Sequence, residues 1–510
     1  MSRKLVWGIF LASSFFWAGC RSKPADHGTT VFLIESSPTN LDPRIGVDAQ
    51  SEHIDELMFD GLVVRDENFR FGPGLAERWE QPDPLTIVFH LRAGVVFSDG
   101  RSLTSQDVVW TLNTMRDGTV ITPKASSYAS IATMNAPDAT TVVVHLKTPD
   151  NFLLSNLSSG AMGIVPVGSG RDFWKHPVGS GPFRFVSQEI DKEVVLERNP
   201  LSWQPGAGPG LVERVRFAVV PDGITRALEL RKGSADVASN SLTADVLPVL
   251  AAEKNLVVES VGGTQVQYLA FNTVDPILKD VRVRQAIACA IDRGLILKTL
   301  LAGRAKTAVS LLPERHWAWT GDVARYEYDP ARAERLLEEA GYKADGYGVR
   351  LNLTMKTSTD DGTRLLAATM QQQLAAVGIA LEIRSYEAAT FIQDLTRGSF
   401  QMYALRWVGG NEQPDIFTTF SVARMPPKGP NRGRYRNPAM DALLEDASRS
   451  TDQERRRADY IQVQQTLARD LPAFNLWYQD SVLVHSRKLS GITVSPSGSF
   501  AFLRTARWQP

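Results

Sequence analysis

The stretch Val349-Arg350-Leu351-Asn352-Leu353-Thr354-Met355 sets an apolar side chain at every second residue, the period of a strand with one buried face. Thr363 to Ala376 then change to helical spacing and stop at Gly378, after which Ile379, Leu381 and Ile383 alternate again. A strand, a helix and a strand in that order make this part of the chain an α/β lobe. Neighbouring signals agree. Asp280 is placed to cap a helix running through Ile291, and Asp329-Pro330 starts another, with Leu336, Leu337 and Ala340 as its expected buried stripe and Gly341 as its end.

The first half has a different grain. Thr30-Val31-Phe32-Leu33-Ile34 is a short apolar run with the character of a buried strand. Ile87, Phe89 and Leu91 alternate with Val88, His90 and Arg92, a strand again, and Asp99-Gly100 turns the chain. Thr104 stands three residues before Asp107 as an approximate capping pair, and Val108, Leu112 and Met115 follow at helical spacing. Thr141 to Leu146 make a further strand after the Pro137-Asp138 turn. No fixed-period repeat and no low-complexity block occurs, which excludes solenoids and long disordered tails.

The start of the chain carries a second message. Arg3 and Lys4 precede an apolar run, Leu5 to Trp17, that is shorter than the roughly 20 residues a spanning helix needs. It reads as a secretory signal. The run ends in Ala18-Gly19-Cys20, and this junction resembles that of bacterial lipoproteins, which implies cleavage before Cys20 and a lipid on its thiol. We therefore expect a signal peptide over 1–19, a polar tether over 20–29 and an extracytoplasmic body hanging from a membrane surface. Cys289 is the other cysteine of the chain, so a lipidated protein has no intramolecular disulfide, and Cys289 itself reads as a small core residue of a helix.

Charge and motif content exclude several functions. Lys plus Arg and Asp plus Glu both number 56, so no net field recruits nucleic acid or an anionic surface. No G-x-S-x-G elbow is present, and Gly168-Ser169-Gly170 and Gly179-Ser180-Gly181 have turn chemistry instead. The seven histidines are scattered, without metal-ligand spacing, and read as surface or satisfied structural residues. No phosphate-cradling G-x-x-x-x-G-K-[ST] loop occurs, and Gly206-Ala207-Gly208-Pro209-Gly210 has the wrong spacing. For a chain of this size the pattern favours a binder over an enzyme; neither a catalytic residue nor a metal or other cofactor is expected.

Several segments together resemble the bacterial extracytoplasmic solute-binding proteins of family 5, the peptide/nickel type that feeds ABC importers. They are Asn40-Leu41-Asp42-Pro43, Phe59-Asp60-Gly61-Leu62, Pro73-Gly74-Leu75-Ala76-Glu77-Arg78-Trp79 and the long run Phe89 to Val108. Pro177 to Phe183, Arg198-Asn199-Pro200 with Trp203, Phe271-Asn272, Val283-Arg284-Gln285-Ala286 with Ala290-Ile291-Asp292-Arg293, and Tyr328-Asp329-Pro330 to Tyr342 follow in order. The resemblance implies a two-lobed α/β fold of the periplasmic-binding-protein kind, type II, with an extra inserted domain. It places lobe I in 30–60, 165–265 and 480–510, the smaller insert in 61–164 and lobe II in 266–479. Ligand would lie buried between the lobes, and the partners implied are a peptide or small-molecule ligand, ABC permease subunits and the membrane through the lipid, with the receptor itself a monomer.

The resemblance also suggests a site. Arg406-Trp407-Val408-Gly409-Gly410-Asn411-Glu412-Gln413-Pro414-Asp415 is similar to the cleft segment of peptide-binding members, many of which carry an aspartate three residues after the tryptophan to pair with the ligand's ammonium. Here that position is Gly410. Either Glu412 takes over the ammonium, or the ligand carries no amine, as in a blocked peptide or glycan fragment. Trp407 is expected to stack on the ligand or to fill a lobe junction, and Tyr268 and Asn272 to contribute to the cleft or to order the crossover. Two other classes stay open at this point: an extracytoplasmic hydrolase acting on peptide or wall fragments, and a sensor or chaperone built on the same fold.

Overall fold

The structure, a computed structural model, describes residues 28–66, 69–158, 162–204, 206, 208–359, 361–407, 414–426, 429–450 and 452–509. Its main feature is an eleven-stranded sheet. In spatial order the strands are Ile379–Tyr386, Leu351–Ser358, Met402–Trp407, Leu256–Phe271, Ala473–Ser486, Val237–Ser239, Thr29–Ile34, Arg214–Val219, Glu193–Arg198 and Phe183–Glu189, with Ala305–Thr307 paired to Ala473–Ser486 off this path. The strand–helix–strand unit predicted around residue 355 is present: Leu351–Ser358 and Ile379–Tyr386 are parallel and joined by the helix Asp361–Ala375. Gly378, at φ +81°, supplies the left-handed turn into the returning strand.

A second sheet of four antiparallel strands, Ala76–Asp83, Thr86–Leu91, Thr141–Leu146 and Ile131–Asp138, stands apart and is covered by the helix Ser105–Arg116. Thr86–Leu91 alternates as expected, with Ile87, Phe89 and Leu91 buried. The capping pair also forms: the Asp107 carboxylate accepts the Thr104 backbone N–H at 2.8 Å. Val108, Leu112 and Met115 turn inward onto Phe89, Val142 and Val144.

Each part of the molecule has its own apolar core. One joins Phe32, Phe183, Phe217, Phe500 and Leu503, another joins Leu269, Ile287, Met355, Met370 and Ile379, and the four-stranded sheet and its helix make a third. Cys289 is fully buried in the helix Val281–Ala290, whose N-cap is Asp280, and burial pushes its thiol up. One expected stripe is narrower than its spacing suggests. On the helix Pro330–Glu339 the fully buried residues are Ala333 and Leu337, while Leu336 and Ala340 only lean against the core. The helix lies on the outside of the lobe, so half of its apolar face reaches past the edge of the surface it covers.

Candidate functional site

Leu256–Phe271 and Ala473–Ser486 are the strands that carry the sheet from one half of the molecule to the other. They pair antiparallel along their length, and the register breaks between Val261 and Gln265. On one side of the break Ala473–Ser486 also pairs with Val237–Ser239; on the other, Leu256–Phe271 pairs with Met402–Trp407. Gly263 sits in the break. A Cβ there would lie 2.1 Å from the Gln479 carbonyl oxygen, so only glycine lets the two backbones approach this closely. The register shifts again between Gln267 and Tyr268, so the two strands that join the halves are irregular where they cross from one to the other.

Trp407 ends the strand Met402–Trp407, beside this crossing, where it stands opposite Val266. Its ring stacks on Tyr268 at a centroid distance of 5.6 Å with 16° between planes. Tyr268 is buried, edge-on to Tyr403, and burial raises its phenol well above the ordinary range. Tyr268 therefore backs the tryptophan. Asn272 is buried too, and its amide is fully used: it donates to the Phe400 and Gly398 carbonyls at 2.9 and 3.4 Å and accepts from the Val274 N–H at 3.3 Å. Its place in the fold is to tie the end of the crossing strand to the chain at 398–400. Val408, Gly409, Gly410, Asn411 and Glu412 lie outside the described residues, as does Cys20.

Beyond that segment the chain resumes in the short helical turn Pro414–Phe420, whose Ile416 and Phe417 enter the same apolar cluster that Trp407 leans on. Asp415 has no ion-pair partner among the described residues. Burial pushes its carboxyl up to about 6, Arg424 and Arg65 act against that rise, and Asp150 adds to it. Arg65 and Asp150 come from the first half of the chain and Arg424 from the second, so Asp415 faces the junction between them. The halves also touch directly. Asn151 donates from Nδ2 to the carbonyls of Ser448 and Ser450 at 2.9 and 2.7 Å, and the rings of Phe69 and His316 meet at 5.3 Å. Sequence reasoning named Asp415 only as the end of the cleft-like segment and singled out neither Asn151 nor Phe69, because a residue that acts only across a tertiary junction leaves no local pattern. His316 was grouped with scattered structural histidines, and it is indeed buried.

Two openings lie elsewhere, one too small for a peptide-sized solute and one at the start of the described chain. A cavity of about 40 Å³ lined by Arg293, Ser310, Phe417, Gln464, Phe474 and Asn475 has room for a few waters. An open groove of about 430 Å³ lies at the beginning of the described chain, beside Thr29, Arg184 and Arg214. Among the described residues no group of three or more His, Cys, Asp or Glu side chains is arranged to hold a metal, and no helix is long and apolar enough to cross a membrane.

Two long strands joining the halves through a register break, an aromatic stack beside them and direct contacts between the halves fit the architecture of a two-lobed binding protein. Residues 70–424 match the family model described as bacterial extracellular solute-binding proteins, family 5 Middle. The chain belongs to that family. Family 5 members are periplasmic or extracytoplasmic binding proteins of transport systems, not enzymes, so this chain is a substrate-binding protein of the ABC-importer type. It is 30% identical to the probable di/tripeptide-binding protein 5 of Pseudomonas aeruginosa, over 99% of each chain. The fold is shared with NikA from Brucella suis in complex with Fe(III)-EDTA, at a TM-score of 0.87 and 23% identity over 94% of this chain and 100% of that one. It is shared equally with the oligopeptide-binding protein AppA from Bacillus subtilis in complex with a nonapeptide, at a TM-score of 0.81 and 24% identity over 95% and 99%. Proteins that share this fold are thus found in complex with ligands as different as Fe(III)-EDTA and a nonapeptide.

Proposed function

We propose that this protein captures an oligopeptide or a solute of similar size between its two lobes and hands it to the permease of an ABC importer. The observation that carries the reading is a pair of long strands that passes from one half to the other through a register break, with side chains of the two halves also in direct contact, since a receptor needs an open state that admits ligand and a closed state that the permease recognises. Its likeness to a di/tripeptide-binding relative over 99% of both chains supports the cargo class.

In this reading Trp407 and the segment Val408 to Glu412 form the cleft wall, Tyr268 holds Trp407 in place and Asn272 fixes the strand behind it. No bond is made or broken. Closure is a population shift: ligand binds the closed form better than the open one and so biases the equilibrium. Lobe I comprises 30–60, 165–265 and 480–510, the insert 61–164 and lobe II 266–479, and a lipid on Cys20 keeps the monomeric receptor near its importer.

Gly410 leaves the third position after Trp407 without a carboxylate, so a free ammonium would need Glu412 or Asp415. Native mass spectrometry of the purified protein, followed by denaturation and identification of the released molecule, tests the reading without a guess at the ligand. Peptides with free amino ends are the expected result. A glycan or another solute without an amine would overturn the peptide assignment, and turnover of a peptide and wall-fragment mixture would overturn the binding role itself.

A further inference from the structure

Arg293 is 7% exposed, and no carboxylate pairs with it among the described residues. Its Nη1 donates to the carbonyls of Ala308 and Asn475 at 3.0 and 3.1 Å, and its Nη2 to that of Tyr326 at 3.2 Å. The Phe474 ring lies against the guanidinium at 4.7 Å. A guanidinium has five N–H groups, so two of them, Nε–H and one on Nη2, have no acceptor among the described residues. Other buried arginines of the chain show how the fold meets this demand elsewhere. Arg44 pairs with Asp42. Arg226 and Arg284 lack a carboxylate, as Arg293 does, but their Nε–H groups reach the carbonyls of Ser241 and Leu471, both at 3.0 Å, and both terminal nitrogens of each donate to carbonyls as well. Arg293 alone of these three is left short at Nε.

Arg293 also borders the cavity of about 40 Å³, which lies between the helix Gln453–Asp470, the strand Ala473–Ser486 and the turn Pro414–Phe420. A polar space of that size takes about three waters, or a small ion in their place. The charge of the lining decides between them. Arg293 and Arg325 belong to it, and no Asp or Glu does. Its buried polar members Ser310 and Gln464 are already engaged: Ser310 Oγ donates to Gln464 Oε1 at 2.7 Å, and Gln464 Nε2 donates to the Ala318 and Tyr460 carbonyls at 2.7 and 2.9 Å. Burial pushes the Arg293 guanidinium down to about 10; Glu327, outside the lining, acts against that fall, and Arg325 adds to it. The lining thus carries positive charge that its own residues do not neutralise. Ala324 and Arg325 are its exposed members and mark the side on which the cavity meets solvent.

We propose that this cavity is a binding site for a small monovalent anion, chloride by its size, held by the N–H groups of Arg293 that the protein leaves without an acceptor. A buried cation without a counter-charge is costly, and an anion within hydrogen-bond reach satisfies the donors and the charge together. Water satisfies the donors and leaves the charge. Every residue of the lining lies between 293 and 475, in the second half of the chain, so the site is distinct from the junction of the two halves, and the proposal holds or fails independently of what the protein carries there. Its occupant would join the helix Gln453–Asp470, the strand that crosses between the halves and the turn that carries Phe417 and Phe420. A ligand bound only by the folded chain stabilises it in proportion to its concentration above the dissociation constant, so chloride should protect this protein from unfolding with or without cargo.

Two measurements on the purified protein test the site. In denaturant unfolding, chloride is exchanged for gluconate, an anion too large for the cavity, at constant ionic strength so that screening does not change. The wild type should gain stability as chloride rises, and each tenfold rise above the dissociation constant should lower the unfolding equilibrium constant about tenfold. In crystals grown with bromide in place of chloride, an anomalous peak should stand within hydrogen-bond reach of Arg293 Nε. Arg293→Gln should lose both signals. If that variant does not fold, because it also gives up three carbonyl bonds, Ala468→Leu serves: leucine is a good helix former, fills the cavity from the helix Gln453–Asp470, leaves Arg293 in place and should abolish the chloride response. Water alone beside Arg293 in the bromide crystals, or one chloride response shared by the wild type and Ala468→Leu, overturns the site. A bromide peak without any response in solution means an adventitious ion only and overturns it as well.

Discussion

Asp42 and Arg44 show why a short motif can be recognisable before its purpose is. Both side chains are fully buried, the guanidinium meets the carboxylate at 2.7 Å, and Arg44 goes on to the Ser169 carbonyl at 3.1 Å. Asn40-Leu41-Asp42-Pro43 is thus a structural joint, and its residue types follow from the need to pair a buried charge. Asp415 is the contrasting case, a buried carboxylate where the halves meet, with no ion-pair partner among the described residues. Its carboxyl is raised to about 6, so the folded protein gains stability as the pH falls from 6 towards the ordinary value and carries a penalty above 6. Asp415→Asn should therefore stabilise the unliganded protein by about 1–2 kcal/mol at pH 7.5, after allowance for solvent screening, and by much less at pH 4.5. Denaturant midpoints at the two pH values check this, and equal effects at both would rule it out. Sequence alone distinguishes neither residue from dozens of other carboxylates, because the surroundings that set their energies come from segments up to hundreds of residues away.

At the scale of elements the sequence was far more legible. Helix starts at Asp280 and Asp329, the capping pair at Thr104 and Asp107, and the alternation in Thr86–Leu91 and Leu351–Ser358 all appear as their local chemistry dictates. The reason is that caps and periodicity are satisfied within a turn or two. The register break in Leu256–Phe271 was not legible, since Gly262-Gly263 reads equally as a turn, a bulge or a weak point in a strand. Its meaning depends on Gln479, on the partner strand. Gly263→Ala should force the two backbones apart, lowering stability by about 2–3 kcal/mol, while Gly262→Ala, which meets open space, should cost under about 1 kcal/mol. Thermal unfolding of the pair decides, and a neutral Gly263→Ala would show that the break has slack.

Over the whole molecule, one sheet threads both halves, so neither half can lose Leu256–Phe271 or Ala473–Ser486 without exposing the core of the other. We expect a single calorimetric transition in which both halves unfold together; two separated transitions would mean that the strands part at the Gly263 break without mutual loss. The α/β class, the separate character of the first half, the helix ends and the family were all determined by the sequence, because each is written in spacing, capping residues or contiguous motifs. The register break at Gly263, the contacts of Phe69 with His316 and of Asn151 with Ser448, and the buried surroundings of Asp415 were decided only by tertiary structure. Each of these joins residues such as Asn151 and Ser448 that are distant in the chain, and the burial and charge fields they meet exist only once the halves have come together.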